Sequence, residues 1–138
     1  MPMIRPMILI ACCLSAAVAV SALTGCSSRT VPEAVETPYA GPPLGLESKG
    51  PSHLVVLEAP SGGYSMVIDR VLERAGFHDI FVTVRTADPR FVHSQAMTRL
   101  RALVPLASTV PVRVCARVLA AGEAAEGDEY PIAIDARR

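Results

Sequence analysis

The pattern of apolar and polar residues divides the 138-residue chain into three parts. An almost unbroken apolar run extends from Met7 to Ala22. Residues 26–52 are rich in proline and glycine, and they show neither the 3.6-residue apolar period of a helix nor the two-residue period of a strand. From His53 onward, apolar and polar positions alternate in short runs. We therefore predict a leader segment, a tether over 26–52 and a single folded domain over 53–138.

Period-two alternation predicts four β-strands in that domain. They cover residues 53–58, 80–85, 112–119 and 130–135. In the run at 112–119, Arg113, Cys115 and Arg117 fall on the face opposite the valines, which we expect to be buried. The last two runs flank the acidic loop 122–129 and predict a hairpin in which Arg113 or Arg117 meets Asp135.

For two further segments, the sequence pattern does not distinguish a helix from a strand. Residues 65–76 alternate only loosely, and they also place apolar side chains at helical spacing between Ser65, a candidate N-cap, and Gly76. Residues 94–103 are similar. The predicted fold is mainly β, a small antiparallel sheet or sandwich with at most one or two short helices. The alternative is an α+β fold with a helix at 65–75.

The apolar run at the amino terminus has the layout of a bacterial export signal. Arg5 precedes it, and Leu23-Thr24-Gly25-Cys26 ends it with the lipoprotein pattern of an aliphatic residue, two small residues and a cysteine. The run of about 16 residues is shorter than the roughly 20 that a spanning helix needs. We predict a lipoprotein signal peptide over 1–25 and a lipid on Cys26, in preference to an ordinary signal peptide or a retained helix.

A lipid on Cys26 makes the membrane a partner of the mature protein and places its domain in the cell envelope, outside the cytoplasm. Ser27 follows the cysteine where an aspartate would retain a lipoprotein in the inner membrane, which predicts the outer membrane for a double-membraned cell. A proline-rich tether over the rest of 26–52 would reach at most ~80 Å.

Charge and reactive residues exclude several classes of function. Without Arg5, 12 of the 13 basic residues remain against 13 acidic ones, so the mature chain is near neutral and we predict no nucleic-acid partner. Cys115 is then the only free thiol, and we expect it to be packed and inert. His53, His78 and His93 are far apart in the sequence and predict no metal site. No nucleophile elbow or zinc-protease motif is present, so we predict no catalytic residues, no cofactor and no enzymatic activity.

Two motifs carry a resemblance to a known family. Pro60-Ser61-Gly62-Gly63-Tyr64-Ser65 is followed about 30 residues later by Val92-His93-Ser94-Gln95-Ala96-Met97-Thr98. This pair resembles the signature of the PrcB-like protease complex subunit family, over less than half of the mature chain. The resemblance implies a strand at 65–73 paired with 80–85. It also implies a non-catalytic lipoprotein that associates with a secreted or surface protease and stabilises it.

The same motifs contain the candidate binding residues, Tyr64 and Gln95. We expect Gly62 and Gly63 to supply positive φ in the turn, with Tyr64 packed beside it. Gln95 either hydrogen-bonds the backbone of the two glycines and joins two loops, which we favour, or faces a partner. The arginines between residues 85 and 117 predict a solvated face paired with the acidic loop, or alternatively a docking face.

These observations predict a membrane-anchored lipoprotein whose β-rich domain binds or stabilises a partner protein, with a secreted protease as the partner that the resemblance implies. The alternative is an envelope lipoprotein that binds a small ligand or a glycan in a groove beside Gly62-Gly63-Tyr64.

Overall fold

The computed structural model describes residues 30–137. The predicted signal peptide and the predicted lipidation site, Cys26, lie outside these residues. Within the described range, no helix is long and apolar enough to cross a bilayer.

The described residues form eight β-strands and no helix, which confirms the prediction of a mainly β fold. The strands are β1 (Glu33–Pro38), β2 (Leu44–Lys49), β3 (Ser52–Ala59), β4 (Ser65–Arg74), β5 (Phe77–Arg85), β6 (Thr98–Ala107), β7 (Val112–Leu119) and β8 (Glu129–Ala136). They form a five-stranded sheet in the order β1-β8-β7-β5-β4 and a three-stranded sheet in the order β2-β3-β6.

The five-stranded sheet is mixed, with two parallel pairings that the prediction of a small antiparallel sheet or sandwich did not include. β1 pairs with β8, and β5 with β7, in parallel. The chain leaves this sheet after β5, forms β6 in the other sheet and returns as β7, which is the crossover that a parallel pair requires. The hairpin of β7 and β8 is antiparallel, as the alternation predicted.

The main core lies between the two sheets, because one face of each sheet contributes to it. Its buried members alternate along the strands as predicted, and they are Val55, Leu57, Ala59, Ile80, Val82, Val84, Val104, Val112, Val114 and Ala116. The opposite face of the five-stranded sheet buries a second cluster, formed by Phe81, Cys115 and Tyr130. Phe81 and Tyr130 meet edge to face, with ring centroids 5.1 Å apart.

Residues 65–74 form strand β4 and not the alternative helix. The ladder with β5 shifts register between Ile68 and Arg70, so Asp69 is the extra residue of a β-bulge. The bulge moves the core-facing positions from Met66 and Ile68 to Val71. A three-residue step inside a two-residue alternation resembles helical spacing, and this explains why the sequence pattern was ambiguous.

The second ambiguous segment also becomes a strand, although it begins later than the pattern suggested. β6 starts at Thr98 and continues through Pro105. Proline is tolerated there because β6 lies at the edge of its sheet, where one side of the backbone has no strand partner.

The prediction that residues 26–52 form a tether is wrong for the described part of this segment. β1 adds to the edge of the five-stranded sheet through a parallel pairing that is interrupted between Val35 and Pro38. β2 pairs with β3, and its Leu44 and Leu46 pack on the main core. Two apolar residues around Gly45 are too few to give a recognisable period, which is why the sequence pattern missed the strand.

The longer connections meet at one end of the molecule, which we call the loop end. Ser65 at the start of β4 pairs with Arg85 at the end of β5, and Arg85 lies beside Leu119 at the end of β7. The register therefore places together the turn at 60–64, the loops at 86–97 and 120–128, and the starts of β1, β2, β6 and β8. The other end carries the short turns that follow β2, β4 and β6.

Candidate functional site at the loop end

The two motif segments meet at the loop end. The backbone N–H of Gly62 donates to the carbonyl oxygen of Ser94, at 2.7 Å. Gly63 has φ of +86°, and a Cβ atom there would lie under 3.0 Å from the imidazole of His93. His93 in turn places its Nε2 2.9 Å from the carbonyl oxygen of Asp88. The turn and the loop are thus held together by backbone contacts and one imidazole ring.

Gln95 does not join the two loops, so the favoured structural role for it is wrong. Its side chain is exposed, and its Nε2 donates to the carbonyl oxygen of His93, at 3.2 Å, within the same loop. The loops are joined by the carbonyl of Ser94, and a backbone group leaves no mark in a side-chain pattern. Gly62 also differs from the prediction, because positive φ occurs in this turn only at Gly63.

An apolar cleft of about 560 Å³ opens beside the joined loops. The turn and the β5–β6 loop supply Pro60, Tyr64 and Met97 to its wall, and the link between β1 and β2 supplies most of the remainder. Its lining residues are Ala40, Gly41, Pro42, Pro43, Glu58, Pro60, Tyr64, Thr86, Met97 and Val118. Tyr64, a candidate binding residue from the sequence, therefore lies in the wall of this cleft.

The link at residues 39–43 is folded tightly against its neighbours. The hydroxyl of Tyr39 donates to the carbonyl oxygen of Pro42, at 3.0 Å. A Cβ atom at Gly41 would lie under 3.0 Å from both Tyr39 and Val118, so only glycine fits this position. Burial, and then the proximity of Tyr64, raise the pKa of Tyr39 to about 12, so its hydroxyl stays neutral at physiological pH.

Three large apolar side chains are exposed on the β5–β6 loop. Phe91 is 66% exposed, Val92 103% and Met97 70%. The backbone that carries them is held by Asp88, whose carboxylate accepts hydrogen bonds from the backbone N–H of Arg90, at 3.0 Å, and from its guanidinium, at 2.7 Å. These bonds hold the pKa of Asp88 below its usual value. The turn at Asp88 and Arg90 thus presents Phe91 and Val92 to solvent, and Met97 is exposed at the other end of the loop.

Polar groups on the outer face of the five-stranded sheet are paired with one another. Asp79 is fully buried and accepts from Arg113 Nε at 2.7 Å and from Arg74 Nε at 2.9 Å. Burial would raise the pKa of Asp79, but the hydrogen bonds and charges of the two arginines outweigh this effect and hold the pKa below its usual value. Arg113 lies opposite Asp135 in the β7–β8 ladder, as predicted, but the two side chains form no ion pair, because Arg113 binds Asp79 and Asp135 pairs with Arg137.

A second polar network lies near the start of β8. Thr83 donates to Asp69 Oδ2 at 2.5 Å, and the hydroxyl of Tyr130 donates to the same oxygen at 3.0 Å. Arg117 Nε donates to the Thr83 hydroxyl at 2.9 Å, and its guanidinium lies 4.4 Å from the centre of the Tyr130 ring. Asp69, Arg117 and Tyr130 line a polar cavity of about 250 Å³.

The arginines bind the acidic loop through its backbone. Arg85 donates to the carbonyl oxygen of Glu123 at 2.7 Å, and Arg117 to that of Gly127 at 2.9 Å. Both arginines thus bind carbonyl oxygens of the loop and not its carboxylates. The Glu123 carboxylate instead accepts a hydrogen bond from the backbone N–H of Ala120, at 2.7 Å.

The residues with metal-binding or nucleophilic side chains are dispersed. Within residues 30–137, no three His, Cys, Asp or Glu side chains are grouped to hold a metal ion. His53 is buried in β3 and places its Nε2 2.8 Å from the carbonyl oxygen of Val110, whereas His93 lies at the loop end. Cys115 is fully buried, and burial raises its pKa to about 11, as expected for a packed thiol.

No protein-family model, curated protein or solved structure matches the chain.

The sequence pattern did not identify most of the cleft. Pro42 and Pro43 lie in the segment predicted as tether, and Val118 lies in a strand expected to contribute only to the core. One signal was available for the cleft: Met97 is a large apolar residue in the loop before β6, and exposed apolar residues of this kind are typical of a contact surface.

Proposed function

We propose that this chain is a lipid-anchored, extracytoplasmic protein whose non-catalytic β domain binds a partner protein in the cleft at the loop end. A secreted or surface protease is the partner class that the motif resemblance implies. The anchor is a lipid on Cys26, supported by the pattern Leu23-Thr24-Gly25-Cys26 after an apolar run with a preceding arginine.

One observation carries the binding proposal. Two motif segments that are separated in the sequence both contribute to the wall of one apolar cleft, and Met97 in that wall is 70% exposed. Large apolar side chains held in solvent by a fixed backbone gain about 1.5–3 kcal/mol each when a partner buries them. A fixed cleft also avoids the entropic cost of ordering a loop on binding.

The lining favours an extended, apolar segment of the partner. Pro42, Pro43, Pro60 and Tyr64 contribute four of the ten lining residues, and grooves lined by such side chains are used to bind extended peptides. Glu58 is the one carboxylate in the lining. The partner segment is therefore expected to be uncharged or to carry a single positive charge near Glu58.

Co-purification after mild crosslinking tests this proposal. Met97→Glu places a charge in the cleft wall, and Leu103→Glu is the matched control, since Leu103 is 58% exposed on β6 outside the cleft. We expect one envelope protein to be recovered with the wild type and with Leu103→Glu, and to be lost with Met97→Glu. Equal recovery with both variants, or no enrichment over an unrelated lipoprotein, would contradict the proposal.

The size of the cleft supports a second candidate function, binding of a small envelope ligand or glycan. About 560 Å³ lies within the 300–1,000 Å³ typical of small-molecule sites, and the exposed part of Tyr64 is a suitable surface for a sugar ring. Candidate glycans or lipids should then raise the melting temperature of the wild type and not that of Tyr64→Ala. A screen without any such ligand would count against this function.

A further inference from the structure

The chain enters the folded domain at the loop end. β1 begins at Glu33, whose backbone N–H donates to the carbonyl oxygen of Asp128 at 2.7 Å, and β1 runs parallel to β8 away from this end. Cys26 is seven residues before Glu33. A fully extended chain of that length spans at most ~25 Å, far less than the ~80 Å of the tether that the sequence pattern predicted.

This short connection limits how the domain can be oriented on a membrane. If Cys26 is in the lipid, the start of β1 stays within ~25 Å of the bilayer surface. β1 and β5 are separated by β8 and β7, so the 86–97 loop leaves the sheet three strand spacings from the start of β1, about 14 Å away. Both features lie at the loop end, and the short connection allows this end to face the lipid.

We propose that the tip of the 86–97 loop, residues Arg90-Phe91-Val92, contacts the lipid bilayer. This inference rests on the proposed lipid anchor at Cys26. Phe91 and Val92 are the most suitable groups to enter the interface, at 66% and 103% exposure, and the backbone between Asp88 and His93 holds them outward. The guanidinium of Arg90 is paired with Asp88 and lies 5.9 Å from the centre of the Phe91 ring, so the pair sits at headgroup level while the ring contacts acyl chains.

The acidic loop makes the depth to which the tip enters the bilayer depend on the charge of the lipids. Glu123, Glu126, Asp128 and Glu129 lie in or beside the 120–128 loop, at the same end as the apolar tip. Arg85 and Arg117 bind the backbone of this loop and offset two of these four negative charges, so the loop stays net negative and an anionic surface repels it over about one Debye length. The tip therefore enters a neutral bilayer more deeply than an anionic one. Because Met97 closes the same loop, the cleft opens beside the membrane, and a bound partner must place its segment close to the lipid.

Fluorescence of a single introduced tryptophan tests the contact. The chain contains no tryptophan of its own, so all of the indole emission comes from the introduced residue. Phe91→Trp is prepared in the full chain, purified as the acylated protein and reconstituted into phosphatidylcholine vesicles with brominated acyl chains. Leu103→Trp is the control, since Leu103 is similarly exposed but lies within β6, away from the loop end. We expect several-fold stronger bromine quenching for Phe91→Trp, with a blue-shifted emission, and weaker quenching when phosphatidylglycerol is added.

Each of the other possible outcomes contradicts the membrane contact, and each identifies which part of the argument fails. Acylated Phe91→Trp that is quenched no more than Leu103→Trp leaves the anchor intact and removes the membrane contact. A chain that incorporates no acyl label removes the anchor and the inference together. Shielding of the introduced indole only when a co-purified protein is added assigns the tip to a protein surface instead. Val92→Trp repeats the measurement at the neighbouring position, so a local disturbance at Phe91 does not decide the result.

Discussion

At the scale of single residues, a few backbone contacts determine the shape of the loop end. The His93 ring packs against the backbone of Gly63. Asp88 stabilises the loop through hydrogen bonds of both its carboxylate and its carbonyl oxygen. The glycine pair could be predicted to make a turn, because proline and glycine have strong local preferences. The contact with His93 could not be predicted, since it depends on how two distant segments pack.

Gly63→Ala tests this contact, with Gly76→Ala as a matched control. Both glycines have φ of +86°, but a Cβ atom at Gly76 would meet nothing within 4 Å. Backbone strain of about 1–3 kcal/mol is thus common to both variants, and only Gly63→Ala must also displace His93. Urea unfolding should show a larger loss of stability for Gly63→Ala, by about 1 kcal/mol or more. Equal losses would contradict the packing described for the turn.

Asp79 gives a prediction about pH. Because its pKa is lowered in the folded state, the carboxylate stabilises the fold above its unfolded pKa, and this stabilisation is lost as pH falls through the lowered folded value. Asp79→Asn should cost about 2–3 kcal/mol at neutral pH, less than for a fully buried pair because the Arg74 side chain is 40% exposed.

The stability difference between wild type and Asp79→Asn is measured by urea unfolding across pH. It should be constant above about pH 4 and become smaller below it. A difference that does not change down to about pH 2 would show that the Asp79 carboxylate is not the stabilising group.

At the scale of strands, the sequence identifies elements that alternate without interruption. The sequence pattern predicted β3, β5, β7 and β8 with nearly their observed bounds, because each of these strands has several core-facing residues at regular spacing. β4 was ambiguous because of its bulge at Asp69, and β1 and β2 were missed because each is short and lies at a sheet edge. A strand whose core face consists of two residues, such as Leu44 and Leu46, is defined by its neighbours more than by its own pattern.

Hydrogen exchange distinguishes strand β2 from a tether. Its residues Leu44–Lys49 pair with β3 in an antiparallel ladder, so the amides of this edge strand that face β3, about half of them, should resist deuterium uptake for minutes or longer. Peptides from the exposed loop at 122–128 serve as the unprotected reference. Complete exchange of 44–49 at the first time point, as in that loop, would contradict its place in the fold.

At the scale of the whole molecule, the fold gathers its long connections at one end and its short turns at the other. Alternation predicted a small β sheet or sandwich, but it could not predict the crossover from β5 through β6 to β7, because strand order depends on long-range packing. The cleft is built by that crossover, by the turn at 60–64 and by the link between the first two strands. Tyr64 was the one cleft residue named from the sequence as a binding residue.

The anchor is tested by Cys26→Ala. The proposal makes the Cys26 thiol the group that accepts the lipid, so the variant should incorporate no acyl label and accumulate as an unprocessed precursor. Radiolabelled or clickable fatty acid, followed by gel electrophoresis, measures both effects. A variant that is still labelled and processed would contradict the assignment of this cysteine, and Cys115→Ala, which changes only a buried thiol, is the control that should be labelled normally.

Photo-crosslinking in intact cells tests most directly whether the cleft binds a partner protein. A photoreactive amino acid replaces Met97 in the cleft wall or, as the control, Leu103 on β6. The proposal predicts one dominant protein adduct from position 97 that is absent from position 103 and disappears with Tyr64→Ala. The same adducts from both positions, or none from position 97, would contradict the proposal that this cleft is a binding site for a partner protein.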